Sequence, residues 1–249
     1  MLAFFRQLRT ELGFYIGALN LKSALESLGQ PTCMPEPCEP RAHVRFATAL
    51  YDPCLALSTS SSVVANDLEA NDALLVLITG ANRGGKSTFL RSIGVAQLMM
   101  QCGMFVAAAR YRSSIAQRIL THYGREEDCT MTSGRLDEEL GRMSSLVDEL
   151  VPDSMVLLNE SFASTNEREG SEIADQVVRA LVERRITVYF VTHLYQFAQT
   201  VRARGSPSAL FLVANRECDG VRTFKLSKGL PATTSYARDL YNRIIDANP

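Results

Sequence analysis

The chain is 249 residues long and 46% hydrophobic, enough to bury the core of one large α/β domain with a small appendage. Its 26 basic and 27 acidic residues leave a formal charge of −1. That balance excludes the basic excess of a dedicated nucleic-acid-binding domain, so any DNA contact has to come from a local patch or from parts outside this chain.

The six cysteines (Cys33, Cys38, Cys54, Cys102, Cys129 and Cys218) are scattered, with no Cys-x-x-Cys pair. They read as reduced thiols rather than a disulfide framework or zinc site. The apolar start is soon broken by Arg6 and Arg9, and no segment reaches the length of a membrane span. The expectation is a cytoplasmic location with no membrane partner.

From Leu2 to Leu28, apolar Leu8, Leu12, Tyr15, Ile16, Leu19, Leu25 and Leu28 recur at helical spacing, and Gly29 supplies a stop. Residues 1–29 therefore read as an N-terminal helix, either an arm or a helix packed on the domain surface. Four prolines fall between Gln30 and Pro40, so residues 30–41 read as an extended linker. Residues 42–249 are the main domain. There, apolar strands alternate with helical segments, which implies a largely parallel sheet flanked by helices.

Leu74–Thr79 is a continuous apolar run, as in a central strand buried on both faces. A helix follows from Lys86 to about Cys102. Met155–Leu158 and Ile186–Val191 are two further buried strands, separated by a helix from Ser171 to Arg184 with Ile173, Val177, Val178 and Leu181 on one face. Ala209–Ala214 and Arg222–Leu226 read as a late hairpin around Asp219-Gly220.

Between the first buried strand and its helix lies Gly80-Ala81-Asn82-Arg83-Gly84-Gly85-Lys86-Ser87, which fits the Walker A pattern G-x-x-x-x-G-K-S in the strand–loop–helix setting it requires. Glycines let backbone N–H groups curl around phosphates, the helix start adds positive dipole, and Lys86 adds a point charge. The reading is an α/β P-loop NTPase that binds ATP, with the Ser87 hydroxyl available to Mg²⁺. A partner strand must bring an acid to the metal and the attacking water. Met155-Val-Leu-Leu-Asn159-Glu160 has that form, with Glu160 placed to orient and deprotonate water. Asn159 stands where aspartate is usual and reaches the metal through a bound water. Thr192-His193 follows the next strand, where the histidine can reach the γ-phosphate.

Thr79-Gly-Ala-Asn-Arg-Gly-Gly-Lys-Ser-Thr88 closely resembles the phosphate loop of the MutS mismatch-repair ATPases, including Asn82, the paired Gly84 and Gly85, and Thr88. Asn66-Asp67-Leu68 is similar to that family's approach to its loop. Asn159 through Gly170 resembles its second acidic strand and the loop after it, and Thr192-His193-Leu-Tyr its switch-histidine stretch. The resemblance covers roughly residues 42–240. It implies an ABC-type ATPase using ATP and Mg²⁺, with a nucleotide bound between two subunits. It also implies a trans signature loop, which Ser133-Gly134-Arg135 resembles, ahead of an amphipathic helix with Leu136, Leu140, Met143, Val147 and Leu150 on one side and Asp137, Glu138 and Glu139 in its first turn.

Ala81, Arg83 and Asn159 depart from the family pattern, and the third puts metal affinity and turnover in doubt. No mismatch-reading domain or clamp is recognisable. The expected protein is therefore a divergent MutS-like ATPase module, monomeric without nucleotide and a homodimer with ATP, that touches DNA weakly by itself. Coupling to DNA mismatch repair or recombination would run through parts not in this sequence. The alternative is a nucleotide-gated dimerisation module with little hydrolysis. A small-molecule kinase fits less well, because no acceptor-site signature accompanies His193 and the Ser133–Arg135 loop.

Overall fold

The computed structural model describes residues 2–124, 134–216 and 222–231. Helix α1 (Leu2–Ser27) ends where Gly29 takes a left-handed backbone, φ 72°. Only its last turns pack: Leu25 is fully buried, with Leu21 and Leu28 against the same core, while Phe4, Leu8, Leu12, Tyr15, Ile16 and Leu19 are exposed. The helix is therefore not laid along the domain surface.

The stretch expected as a linker is extended but not free. Cys33 bridges to Val106, and β1 (Glu36–Cys38) pairs parallel with β5 (Arg110–Ser114), followed by a single 3-10 turn at Pro40–Ala42. Its prolines are tolerated because β1 is an edge strand, where a missing N–H costs no ladder bond on the open side.

Two sheets form the body. The smaller has the order β1-β5-β2-β3, with β2 Arg45–Leu50 and β3 Asn66–Glu69; α2 (Pro53–Thr59) follows β2. The larger has six strands: β4 (Leu75–Gly80), β6 (Ile119–Tyr123), β7 (Met155–Asn159), β8 (Thr187–Val191), β9 (Ala209–Arg216) and β10 (Arg222–Lys228). Their order is β10-β9-β4-β8-β7-β6, all parallel except the β9–β10 hairpin. That hairpin matches the sequence reading; its turn at Asp219-Gly220 lies outside the described residues.

The continuous apolar runs follow from burial on both faces. Val76 and Ile78 of β4, Met155 and Leu157 of β7, and Tyr189 and Val191 of β8 join one core, with α3 (Lys86–Gln101) and the small sheet. Leu77, Val156, Leu158, Val188 and Phe190 face the other core, covered by α4 (Arg135–Glu149), α5 (Glu167–Glu183) and α6 (Tyr195–Arg204). Buried Arg45 ties the sheets together, donating to the Ala73 carbonyl at 3.0 Å and to the Thr187 hydroxyl.

Helix α4 corrects two expectations. Its buried face is Glu139, Met143 and Leu146, leading to Leu150, while Leu140 is exposed. Glu139 accordingly points inward instead of adding to the acids of a solvated first turn. The helix α5 begins four residues earlier than the apolar pattern suggests, because the Asn166 carboxamide caps it by accepting from the Glu169 N–H at 3.0 Å.

Candidate functional site

The carboxyl ends of β4, β7 and β8 lie side by side, since Ile78 pairs with Val191 and Val191 with Asn159. In open α/β sheets this is the edge where ligands bind. The loop leaving β4 starts at Gly80, whose φ of 113° suits only glycine, and a Cβ there would sit 2.9 Å from the Ala214 backbone nitrogen. The chain then turns through Arg83, also left-handed at φ 57°, and enters α3 from Gly85, its N-cap.

Lys86 opens that helix with only 5% of its surface exposed. Its ammonium donates to the Gly80 and Ala81 carbonyls at 3.0 and 2.9 Å, two neutral partners. Burial pushes its pKa down to about 8, with the Glu160 carboxylate opposing the fall and Arg222 adding to it. A buried cation held only by neutral oxygens is a site that gains from an anion.

Across the cleft, β7 delivers Asn159, whose side-chain oxygen accepts from the Ser87 hydroxyl at 2.8 Å. The next residue, Glu160, has a left-handed backbone at φ 55°, and its N–H donates to the Val191 carbonyl at 2.8 Å. Its carboxylate accepts from His193 Nε2 at 2.9 Å, and that hydrogen bond lowers the Glu160 pKa against the opposing effect of burial. Glu160 and His193 remain 44% and 30% exposed at their side chains, so both are open to a ligand.

Lys86, Glu160 and His193 line one cleft of about 830 Å³, together with Asn82, Arg83, Gly84, Gly85, Ser87 and Thr88; Asn159 joins it through its bond to Ser87. Its far end is walled by Leu55, Val63, Val64 and Phe224. A volume of this size accepts a nucleoside triphosphate. The donor set fits Mg²⁺ in one respect: Ser87 and Asn159 offer neutral oxygens, and no group of three or more His, Cys, Asp or Glu side chains that could hold a metal ion occurs among the described residues. A hard cation here would complete its shell with phosphate oxygens and water, as Mg²⁺ commonly does.

Gly134 and Arg135 stand at the start of α4 and do not line this cleft of their own chain. Ser133 lies outside the described residues.

Residues 76–237 match the family model described as MutS domain V. The chain belongs to the MutS family. Among curated relatives, it is 34% identical over 175 residues to the DNA mismatch repair protein MutS of Thermus aquaticus, covering 70% of this chain and 21% of the relative. It is 30% identical over 174 residues to Endonuclease MutS2 of Thermus thermophilus, covering 68% and 23% respectively. With the probable DNA mismatch repair protein Msh6 of Drosophila melanogaster it shares 34% identity over 148 residues, 58% of this chain and 12% of that protein. The chain thus spans less than a quarter of the length of these MutS relatives. Among the described residues, no helix is long and apolar enough to cross a membrane.

Within this MutS domain, two groups of residues escaped the sequence reading. Phe224 sits at a break in the β9–β10 register with φ 56° and reaches the cleft; Asn66 clamps it, donating to the Phe224 carbonyl at 3.0 Å and accepting from the Leu226 N–H at 2.7 Å. No local pattern marks a bulge whose clamp lies 158 residues away. The second group is buried behind Glu160. His122 meets the Ser161 hydroxyl at 2.7 Å and the Glu139 carbonyl at 3.2 Å. Burial lowers the His122 pKa; its Nε2 lies against the Glu139 carbonyl, and the Ser161 hydroxyl lies against Nδ1 and also donates to the His122 carbonyl at 3.2 Å. Gly170 completes the arrangement, because a Cβ on it would lie 2.4 Å from the Phe162 carbonyl oxygen.

Proposed function

We propose that this chain is a MutS-type P-loop ATPase module that binds ATP with Mg²⁺ in the 830 Å³ cleft and hydrolyses it. The observation that carries this reading is the facing of buried Lys86 and the Glu160–His193 pair across a single cleft at the carboxyl ends of three parallel strands. When bound, Mg–ATP supplies a terminal phosphoryl group open to attack by water. The loop from Gly80 to Thr88 holds the phosphates through its backbone and the Lys86 ammonium, which keeps its proton in their field. Ser87 and Asn159 present oxygens on the metal side, Asn159 through a water. Glu160, kept ionised by His193, orients the attacking water and takes its proton. His193, joined to that carboxylate, is placed to respond to the γ-phosphate.

The working form is a head-to-tail homodimer. Gly134 and Arg135 do not line their own cleft, which favours the start of α4 as an element offered to the nucleotide of a second copy. The curated relatives are named as mismatch-repair proteins and an endonuclease, and coupling to DNA repair or recombination would run through their remaining length. Residues 1–29 and 30–41 would then serve as connection to such parts.

Steady-state phosphate release with and without duplex DNA tests this directly. Turnover abolished by Lys86→Ala supports it; absence of nucleotide binding by calorimetry refutes it. The neutral Ser87–Asn159 pair favours a second reading, a nucleotide-gated dimerisation module with little hydrolysis. Tight ATP binding and ATP-dependent dimerisation without phosphate release would select it.

A further inference from the structure

We infer that Glu139 is a positioning residue for Glu160, joining helix α4 to the loop that sets the hydrolytic carboxylate; this rests on the function proposed above. Glu139 is 3% exposed, and every oxygen of its carboxylate has a partner in the loop that follows Glu160. One accepts from the Phe162 backbone N–H at 2.6 Å, the other from the Ser164 hydroxyl at 2.6 Å. Its backbone carbonyl accepts from His122, whose other nitrogen meets the Ser161 hydroxyl at 2.7 Å. Residues 161, 162 and 164 are thus all fastened, directly or through one imidazole, to a single residue of α4.

The fastening has a target. Glu160 and Phe162 both adopt left-handed backbones, φ 55° and 66°, which are unfavourable for a residue bearing a side chain. Such a double turn persists only if its surroundings hold it. Phe162 is held by complete burial of its ring, by the short bond from its N–H to Glu139, and by Gly170 abutting its carbonyl. The turn in turn aims the Glu160 side chain at His193. A carboxylate buried among apolar groups is unfavourable unless charge-assisted bonds repay it, so Glu139 is not explained as core filling. Because α4 begins at Gly134, a load on that helix start can reach the loop after Glu160 through Glu139.

The test compares Glu139→Ala, Glu139→Gln and Ser164→Ala in the full chain. The chain holds three histidines, His43, His122 and His193, so the His193 ring signal is assignable by proton NMR and reports the Glu160 contact without any turnover. In Glu139→Ala the His193 signal should move to the position it takes in Glu160→Gln. ADP affinity should stay within about twofold while ATP turnover falls roughly ten- to a hundredfold, the size of effect that follows misplacing a reacting group by about an ångström. Glu139→Gln should restore both readouts, since its amide oxygen accepts from Phe162 and its amide nitrogen donates to Ser164. Should Glu139→Ala fail to fold, Ser164→Ala breaks one bond only and should move the same signal less far. An unmoved His193 signal in the folded variant overturns the inference, as does a parallel loss of ADP affinity and turnover, the mark of general damage. A signal that moves in a protein whose wild type never releases phosphate keeps the positioning role and removes the ATPase reading.

Discussion

Lys86 offers a measurement in which stability and binding respond to pH in opposite directions. Burial lowers its pKa from the ordinary 10.5 to about 8. Between those values the unfolded chain binds more protons than the folded one, so stability must rise with pH across that window. The full difference is about 3 kcal/mol, of which about 2 kcal/mol appears between pH 7 and pH 9.5. For a domain of this size that corresponds to roughly 4–8 °C in Tm. Other groups titrate in the same range, so the quantity to follow is the Tm of wild type minus that of Lys86→Met, which keeps the stem and removes the charge. The difference should climb by that amount from pH 7 to pH 9.5. ADP binding should go the other way. If phosphates hold the ammonium protonated, the free protein must take up a proton to bind, and Kd by calorimetry rises about thirtyfold between pH 7 and pH 9.5. A Tm difference independent of pH, or an ADP affinity unchanged over that range, would refute the picture of a buried cation waiting for an anion.

Other substitutions separate the parts of the site. Glu160→Gln should bind ATP normally, release phosphate at least about a hundredfold more slowly, and accumulate as a dimer with ATP and Mg²⁺, seen as a doubled mass by light scattering. A mass that stays monomeric at saturating ATP argues against the composite site. Asn159→Asp replaces the amide facing Ser87 by a carboxylate and should lower the Mg²⁺ concentration needed for half-maximal turnover; coincident titrations would place Asn159 away from the metal. Gly170→Ala puts a methyl 2.4 Å from the Phe162 carbonyl, so it should destabilise the fold by about 1–3 kcal/mol in urea unfolding, whereas Gly141→Ala, with open space around an exposed helical position, should stabilise it by about 0.5–1 kcal/mol. Duplex DNA should bind weakly and without mismatch preference, with affinity falling steeply as salt rises.

What the sequence disclosed was whatever is carried by neighbours along the chain. The Gly80–Ser87 loop, the strands of β4, β7 and β8, and the placement of Asn159, Glu160 and His193 at strand ends all follow from contiguous apolar runs ending in polar residues. The α/β sheet with its antiparallel β9–β10 hairpin was legible for the same reason. What stayed hidden depends on chain-distant partners. The proline-rich stretch became an edge strand only because β5, some 70 residues later, offers it a ladder. Glu139 looked like a dipole-favouring acid because its partners, Phe162 and Ser164, lie beyond a strand and a turn. Phe224 is placed by Asn66, 158 residues away.

That division runs through the site itself. The loop from Gly80 to Lys86 is organised by its own backbone: the Ala81 carbonyl accepts from both Gly84 and Lys86, and Gly80 turns where no other residue can. It needs little from the rest of the protein beyond the strand before it and the helix after it. The Glu160 corner is the reverse. Its backbone is left-handed at a residue with no preference for that region, and its support comes from α4, β6 and α5 through Glu139, His122 and Gly170. On the proposed function, nucleotide holding and nucleotide cleavage would therefore rest on separable supports. Damage to α4 should slow cleavage while leaving the grip on phosphate intact, and damage to the loop should do the opposite. If the start of α4 meets a second copy and Glu160 is the hydrolytic carboxylate, as proposed, the Glu139 link would be a physical route by which assembly sets the rate of cleavage.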